Sequence, residues 1–265
     1  LLWFNERLLS ESKMNKELKL QTLYEEYTNC QRCPKLCESR AQVVFGYGSQ
    51  NASILIVAQA PGDTEDKTGL PLIGATGRIL DYFLAKALQS TDDRFKKLIK
   101  DFKLTKGFGN RTNFTWGQVD KNSGVHSTHW TTKQILAERV FYTNSVLCFP
   151  EKDRTPEKAE MDNCKDRLLE TIYTIDPIII IAVGGVALES LAGKRGLSIS
   201  KYKGQLLDLT FPGRQVEIKY PVMPIYHPSY LMRNPSMEEG GDWDITEQHV
   251  AKAVNLVEEY IKTDE

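Results

Sequence analysis

Four short apolar runs, each stopped by a residue unsuited to continuing a buried strand, constrain this chain most. Ser53-Ile-Leu-Ile-Val-Ala58 ends before a Pro-Gly turn, and Val140 to Thr143 ends at Asn144. Pro177-Ile-Ile-Ile-Ile-Ala-Val183 ends at Gly184-Gly185, and Tyr220 to Tyr226 runs straight into His227. Runs this short, with no polar alternation, suit strands covered on both faces. Between them lie stretches with helical spacing. Leu80, Phe83, Leu84, Ala87 and Leu88 follow the first run; Met161, Cys164, Leu168, Ile172 and Ile175 precede the third. Residues 6–27 and 246–261 read as amphipathic helices, and Thr155-Pro156-Glu157 as a helix start capped by Thr155. Strands alternating with helices predict a three-layer α/β/α fold on a central parallel four-stranded sheet, with ligands at the carboxyl ends of the strands.

Residues 89–138 break this rhythm. Phe95, Lys96, Lys97, Lys100, Phe102, Lys103, Lys106, Phe108, Arg111, Phe114 and Trp116 mix cationic and aromatic side chains without a clear strand pattern. The segment reads as an insertion with one helix near 92–103, suited to contacts with single-stranded or flanking DNA or to a solvated excursion. A chain of 265 residues accommodates everything in one domain, with an N-terminal helix at 1–27 and an acidic C-terminal helix at 237–265. Nine acids against two bases in that last segment hide a net positive remainder behind the overall charge of -1, so the sum does not exclude nucleic acid. No apolar run reaches the ~18 residues of a membrane span, and no signal-peptide pattern is read at the start. Five cysteines, an odd and small number, fit a reduced cytoplasm better than a secreted scaffold.

The chemistry-bearing residues gather at three strand ends. After Ala58 comes Gln59-Ala60-Pro61-Gly62, and the loop runs on through Glu65, Asp66, Gly69, Leu72 and Gly74 to Gly77. Its glycines let backbone amides approach a ligand, while its spacing matches neither the P-loop nor the dinucleotide fingerprint. Glu65 and Asp66 suit a turn, a cap or a pocket. Asn144 offers a donor and an acceptor side by side, as a nucleobase edge requires. His227 is fixed at a strand end by Pro228, with Ser229, Tyr230, Leu231, Met232 and Arg233 behind it. Large apolar side chains ended by an arginine suit insertion into a base stack beside a phosphate.

Cys30 and Cys33 form a C-x₂-C pair, and Cys148 and Cys164 lie far downstream with fifteen residues between them. Four thiolates from distant segments suggest a metal fastening the fold. The wide second spacing departs from the short pairs usual for zinc, and an iron–sulfur cluster also takes four cysteines. Spacing alone leaves both metals open, along with a stray pair plus two core cysteines. Cys37 reads as a spare thiol or an alternative ligand.

Taken in order, these residues resemble the iron–sulfur uracil-DNA glycosylases, the family 4 branch of the uracil-DNA glycosylase superfamily. Members carry C-x₂-C, an arginine and V-x-G-x-G, matched by Cys30, Cys33, Arg40 and Val44-Phe-Gly-Tyr-Gly48. They continue with G-E-A-P-G-x-x-E-D-x-x-G-x-P-F-V-G-x-A-G, T-N-x-x-x-C-x-P, a further cysteine and H-P-S. Ala58 to Gly77, Thr143 to Pro150, Cys164 and His227 to Ser229 match these blocks. The resemblance spans Cys30 to about Pro235 and omits the insertion and both ends.

It implies a DNA-repair hydrolase that flips uracil out of DNA and cleaves its N-glycosidic bond, leaving an abasic site. It further implies a structural [4Fe–4S] cluster on Cys30, Cys33, Cys148 and Cys164, remote from the chemistry. The protein would be a monomer in the cytoplasm, at the nucleoid, acting on DNA that holds uracil or another deaminated base. Asn144 would read the uracil edge, Glu65 would organise the pocket, and His227 would donate toward O2. Gln59 would join these three in the catalytic set, Ala58, Ala60, Gly62 and Leu72 would line the base, and Ser229 to Arg233 would fill the gap that it leaves. Four positions bear on the chemistry. Ala58-Gln59 replaces Gly-Glu, Leu72 replaces the stacking Phe, and Ala60 stands where related G-Q-D-P glycosylases have a water-activating Asp. Leaving-group stabilisation is therefore expected to dominate. A weakly active or non-catalytic uracil-DNA binder, and a zinc-stapled α/β protein with a small-molecule pocket, are the alternatives.

Overall fold

The computed structural model describes residues 2–106, 112–123, 125–212, 217–234 and 236–264. Helices α1 (Leu2–Thr28) and α2 (Pro34–Ser39) lead to β1 (Tyr47–Gly48) and β2 (Ile54–Ala58). Next come α3 (Asp63–Thr68), α4 (Ala75–Leu88), α5 (Asp93–Leu98), β3 (Phe102–Lys106), β4 (Thr112–Trp116) and α6 (Ser127–Leu136). The chain continues through β5 (Val140–Asn144), α7 (Lys158–Ile175), β6 (Ile179–Val183), α8 (Gly185–Ala192), α9 (Ile199–Tyr202) and β7 (Leu207–Phe211). It closes with β8 (Ile218–Ile225), α10 (Pro228–Arg233) and α11 (Asp242–Asp264).

The main sheet runs β1-β5-β2-β6-β8-β7. Its four inner strands are parallel and coincide with the four apolar runs. Two antiparallel edges, β1 and β7, widen the expected four strands to six. Both edges are locally weak signals. β1 is two residues long with a glycine, and β7 alternates half-buried and exposed positions as a one-sided edge does. Along the inner strands, odd and even residues enter different cores. Ile54, Ile56, Val140, Tyr142, Ile179 and Ile181 pack with Leu80, Phe83 and Leu84 of α4 and Val250 and Val254 of α11. Leu55, Val57, Phe141, Ile180 and Val222 pack with Leu168 and Ile172 of α7 and Leu188 of α8. Helices on both faces explain why these strands carry no polar alternation.

Two expectations need correction. α7 begins at Lys158 rather than near Thr155, because Glu157 and Glu160 close a reciprocal capping box at its start. Residues 89–138 hold more order than one helix: α5, the β3–β4 hairpin and α6. Phe108 and Arg111 lie outside the described residues, as do the side chains of Lys106, Phe114 and Trp116. The last helix packs as its amphipathic spacing predicts, burying Trp243, Val250, Val254 and Val257. No described helix is long and apolar enough to cross a membrane.

Candidate active site

Parallel strands deliver their carboxyl ends to one edge of the sheet, and the loops there are tied together by backbone bonds. Ser145 donates from N and Oγ to the Ala58 carbonyl at 2.8 and 3.0 Å, and Val146 N donates to Gln59 O at 3.1 Å. A cleft of about 660 Å³ opens above them, within the usual range for ligand pockets. It collects Ala58, Gln59, Ala60, Gly62, Glu65, Leu72, Asn144, His227, Ser229, Met232 and Arg233. Residues from three separate strand ends thus share one wall.

Asn144 closes β5 opposite Ala58 of β2 and is 1% exposed. Its Nδ2 is buried without a hydrogen-bond partner. An amide donor left unpaired in a protein interior costs about 1–3 kcal/mol, so a partner belongs there when the cleft is filled. The Asn144 backbone is held from behind, where Arg167 Nη2 donates to its carbonyl at 2.5 Å.

His227 caps α10, its Nδ1 accepting from Ser229 N at 3.2 Å and lying 2.7 Å from Ser229 Oγ. With Nδ1 as acceptor, the neutral ring carries its proton on Nε2. Burial, and then the Arg233 guanidinium, pushes the imidazole pKa down to about 4. His227 is therefore a neutral donor at physiological pH.

Of the adjacent acids, Glu65 faces the cleft and Asp66 faces away. Glu65 Oε1 accepts from Gly74 N at 2.7 Å, at the start of α4, while Asp66 Oδ2 accepts from Ala41 N at 2.8 Å. Leu72 forms part of the wall at φ 53, a left-handed conformation rare for a leucine. Gly77 makes this possible: a Cβ there would stand 1.6 Å from the Leu72 carbonyl oxygen.

Two expected DNA-facing residues sit elsewhere. The segment after His227 is helical, and Leu231 on its inner face has no exposed surface. Tyr230 stacks near Tyr226 and donates to Asp242 Oδ2 at 2.8 Å. Pro228 at the first helical position and the His227 cap start a helix whose inward side takes Leu231, leaving Ser229, Met232 and Arg233 at the cleft.

The cleft also contains Pro150, Asp153 and Arg154, which sequence reading missed because Glu151-Lys-Asp-Arg154 looks like a solvated charged turn. Arg154 is engaged by both oxygens of Glu160, at 2.9 and 2.6 Å. Behind the cleft lies a second unanticipated feature, a fully buried polar group joining α4, α6 and β5. Asp81 Oδ2 lies 2.8 Å from His129 Nε2 and 3.3 Å from Lys133 Nζ, and Tyr142 OH donates to Oδ1 at 2.9 Å. Burial alone would raise the Asp81 pKa, but Lys133, His129 and Tyr142 together hold it below the ordinary value.

The four cysteines flank one apolar cluster beneath α1, α2 and α7: Cys148 and Cys164 are buried in it, and Cys30 and Cys33 pack against it. Donors converge on their sulfurs. Arg40 Nη1 reaches Cys148 Sγ at 2.9 Å while its Nη2 holds the Cys30 carbonyl, and Asn163 Nδ2 reaches Cys33 Sγ at 3.3 Å. Buried Arg167 lies beside Cys164 and Cys148. Burial pushes the Cys148 thiol up to about 11, against the pull of Arg40. Cys37 Sγ instead bonds the Cys30 carbonyl at 3.5 Å. Among the described residues no three His, Cys, Asp or Glu side chains close around a single ion. Zinc and a four-iron cluster alike take such cysteines as thiolates. Cationic donors beside four thiols suit a group that would carry them as thiolates.

A family model described as the uracil DNA glycosylase superfamily matches residues 45–257. The chain is similar to the Type-4 uracil-DNA glycosylase of Thermotoga maritima, 29% identical over 223 residues that cover 84% of this chain and 88% of that protein. The Type-4 uracil-DNA glycosylase of Pyrobaculum aerophilum is 28% identical, with coverage of 83% and 88%. That of Sulfurisphaera tokodaii is 27% identical, with coverage of 83% and 79%.

Proposed function

The chain belongs to the uracil DNA glycosylase superfamily, and on that premise we propose that its cleft takes an everted uracil from DNA and hydrolyses the N-glycosidic bond, leaving an abasic site. The unpartnered Asn144 amide, buried in a cleft shared with His227, carries this reading. Extrusion of a base costs a few kcal/mol, least at a mismatch. Met232 and Arg233 stand where an apolar side chain and a phosphate partner offset part of it.

Inside the cleft, Asn144 Nδ2 donates to uracil O4 and its Oδ1 accepts from N3–H. Cytosine presents the opposite pattern at both positions, leaving buried polar groups unpaired. As the bond breaks, negative charge collects on uracil O2. The neutral Nε2–H of His227 is aimed at that oxygen, an oxyanion-hole contribution of roughly 3–4 kcal/mol. Glu65 keeps the loop in shape through Gly74 N, and Leu72 supplies an aliphatic wall where the family pattern has an aromatic one. Gln59 adds a neutral polar edge.

Cys30, Cys33, Cys148 and Cys164 would hold a [4Fe–4S] cluster, which supplies a structural staple rather than reaction chemistry. Arg40 and Arg167 would offset its thiolate charge, and Asn163 donates to Cys33 Sγ. The protein works as a cytoplasmic, nucleoid-associated monomer, with exposed Lys97, Lys100 and Lys103 close to flanking phosphates.

Incubation with uracil-containing duplex, followed by alkali, tests the reading. Strand scission at uracil and none at cytosine is expected. A mobility shift without scission would leave only a binder, and neither effect would remove the function.

A further inference from the structure

Among the described residues, the largest fully buried side chain is a cation. Arg167 on α7 is 0% exposed, and its guanidinium closes on the end of β5. Nη1 donates to Thr143 Oγ1 at 3.0 Å, and Nη2 donates to the carbonyls of Asn144 at 2.5 Å and Ser145 at 3.1 Å. Thr143 Oγ1 extends the grip, donating to Phe45 O at 2.8 Å. One planar fork thus holds three consecutive residues from behind, and the middle one carries the unpartnered amide of the cleft.

None of these partners is charged. Among the described residues no carboxylate pairs with Arg167, and its buried Nε has no hydrogen-bond partner. A guanidinium taken out of water without an anion is costly, and buried charges are as a rule paired. The ionisable groups that bear on it most are Cys164, Tyr27 and Cys148. Tyr27 stays a neutral phenol, its pKa raised by burial and its oxygen accepting from Arg32 Nη1 at 2.8 Å. That leaves the two cysteines, which a metal site takes as thiolates. The same guanidinium has sulfur on one side and the Asn144 peptide on the other.

We propose that Arg167 is a positioning residue for base recognition: its fork fixes the Asn144 peptide, and its counter-charge comes from the thiolates of Cys164 and Cys148. Filling of the cysteine site is in this way felt at the base pocket. The role rests on the uracil-excision reading above and deepens it. With the thiolates in place, the cation sits between anion and carbonyls, and the end of β5 presents the Asn144 amide in one orientation. With them gone the cation is stranded, and its grip on the carbonyls yields.

Arg167→Lys and Arg167→Gln test this, since each replaces the fork with a single donor head and only the first keeps the charge. Both are compared, iron-loaded, with wild type and Asn144→Ala in steady-state uracil release and in the loss of visible iron–sulfur absorbance under a chelator. Both Arg167 variants should lower kcat about 10- to 10²-fold with KM nearly unchanged, because a small misplacement of Asn144 suffices. Arg167→Gln should lose its absorbance about tenfold faster than wild type or more, while Arg167→Lys stays near the wild-type rate. A side chain that merely filled space would not sort one readout by fork and the other by charge. In unsubstituted protein, stripping the iron should weaken binding of free uracil about tenfold by equilibrium dialysis, which decides the matter even if both variants misfold. Wild-type kcat in both Arg167 variants, equal chelator lifetimes for the two, or undiminished uracil binding by stripped protein would each overturn the assignment. If wild type itself releases no uracil, the function falls and this role with it. If Asn144→Ala is dead while both Arg167 variants match wild type, the function stands and Asn144 is positioned by other groups.

Discussion

At His227 one proton decides whether the ring helps or hinders. A pKa near 4 leaves the imidazole neutral, with Nδ1 accepting and the proton on Nε2, across the physiological range. Uracil release should therefore show no step near pH 6.5, where an ordinary histidine titrates. A pH–rate profile between 5.5 and 8 at about half-unit intervals checks this; a twofold change centred near 6.5 would contradict it. Asn144 and His227 were legible in the sequence because each closes an apolar run, and the carboxyl end of a parallel strand is where a site forms. Leu231 was misread because its neighbours Ser229, Met232 and Arg233 do reach the cleft, and only helical geometry separates it from them. Leu72 hid its strain altogether, since the cause lies five positions on, at Gly77. Gly77→Ala should push Leu72 out of the wall and lower Tm by about 3–10 °C, readable by calorimetry.

Among the elements, the junction of α4, α6 and β5 shows what periodicity leaves out. His129 and Lys133 lie one turn apart on α6, and a lone sequence would place both in solvent. Instead they meet Asp81 in full burial. The partner is 52 residues from Lys133, beyond the reach of any local pattern. Removing one member of such a pair strands the other charge. Lys133→Met should cost about 3–5 kcal/mol, and Asp81→Asn combined with Lys133→Met should be less damaging than the single change. Denaturant unfolding of the four proteins measures the coupling; strict additivity would argue against a paired network. The edge strands were lost for a related reason, because β1 and β7 depend on β5 and β8 for their pairing. The inner strands needed no such help, being apolar on both faces.

Over the whole molecule, burial of all four histidines ties stability to pH, with His126 and His227 as the examples. Burial, with lesser contributions from Arg78 and His129, lowers the His126 pKa to about 4, and His227 behaves alike. An unfolded histidine takes its proton near 6.5, before either folded ring does. Their contribution is thus complete above that value and shrinks as pH falls toward 4. Tm should drop across this window, and His126→Gln should flatten the slope; an unchanged slope would exclude His126. The proposed cluster would tie distant parts of the chain together in another way. Cys148 and Cys164 bracket the segment that carries Asp153, so a cluster there would steady the cleft from outside. Cys164→Ser should remove the visible iron–sulfur absorbance and lower Tm. The cysteine spacing suggested a staple with Arg40 close behind its first pair, but it gave no sign that Arg167, one turn beyond Cys164 on α7, is buried beside the sulfurs. The central claim is that Asn144 reads the base, and single-turnover uracil release by Asn144→Ala tests it most directly. A fall of roughly 10²–10³-fold, with Tm and iron–sulfur absorbance retained, is the predicted result; release at the wild-type rate would contradict it.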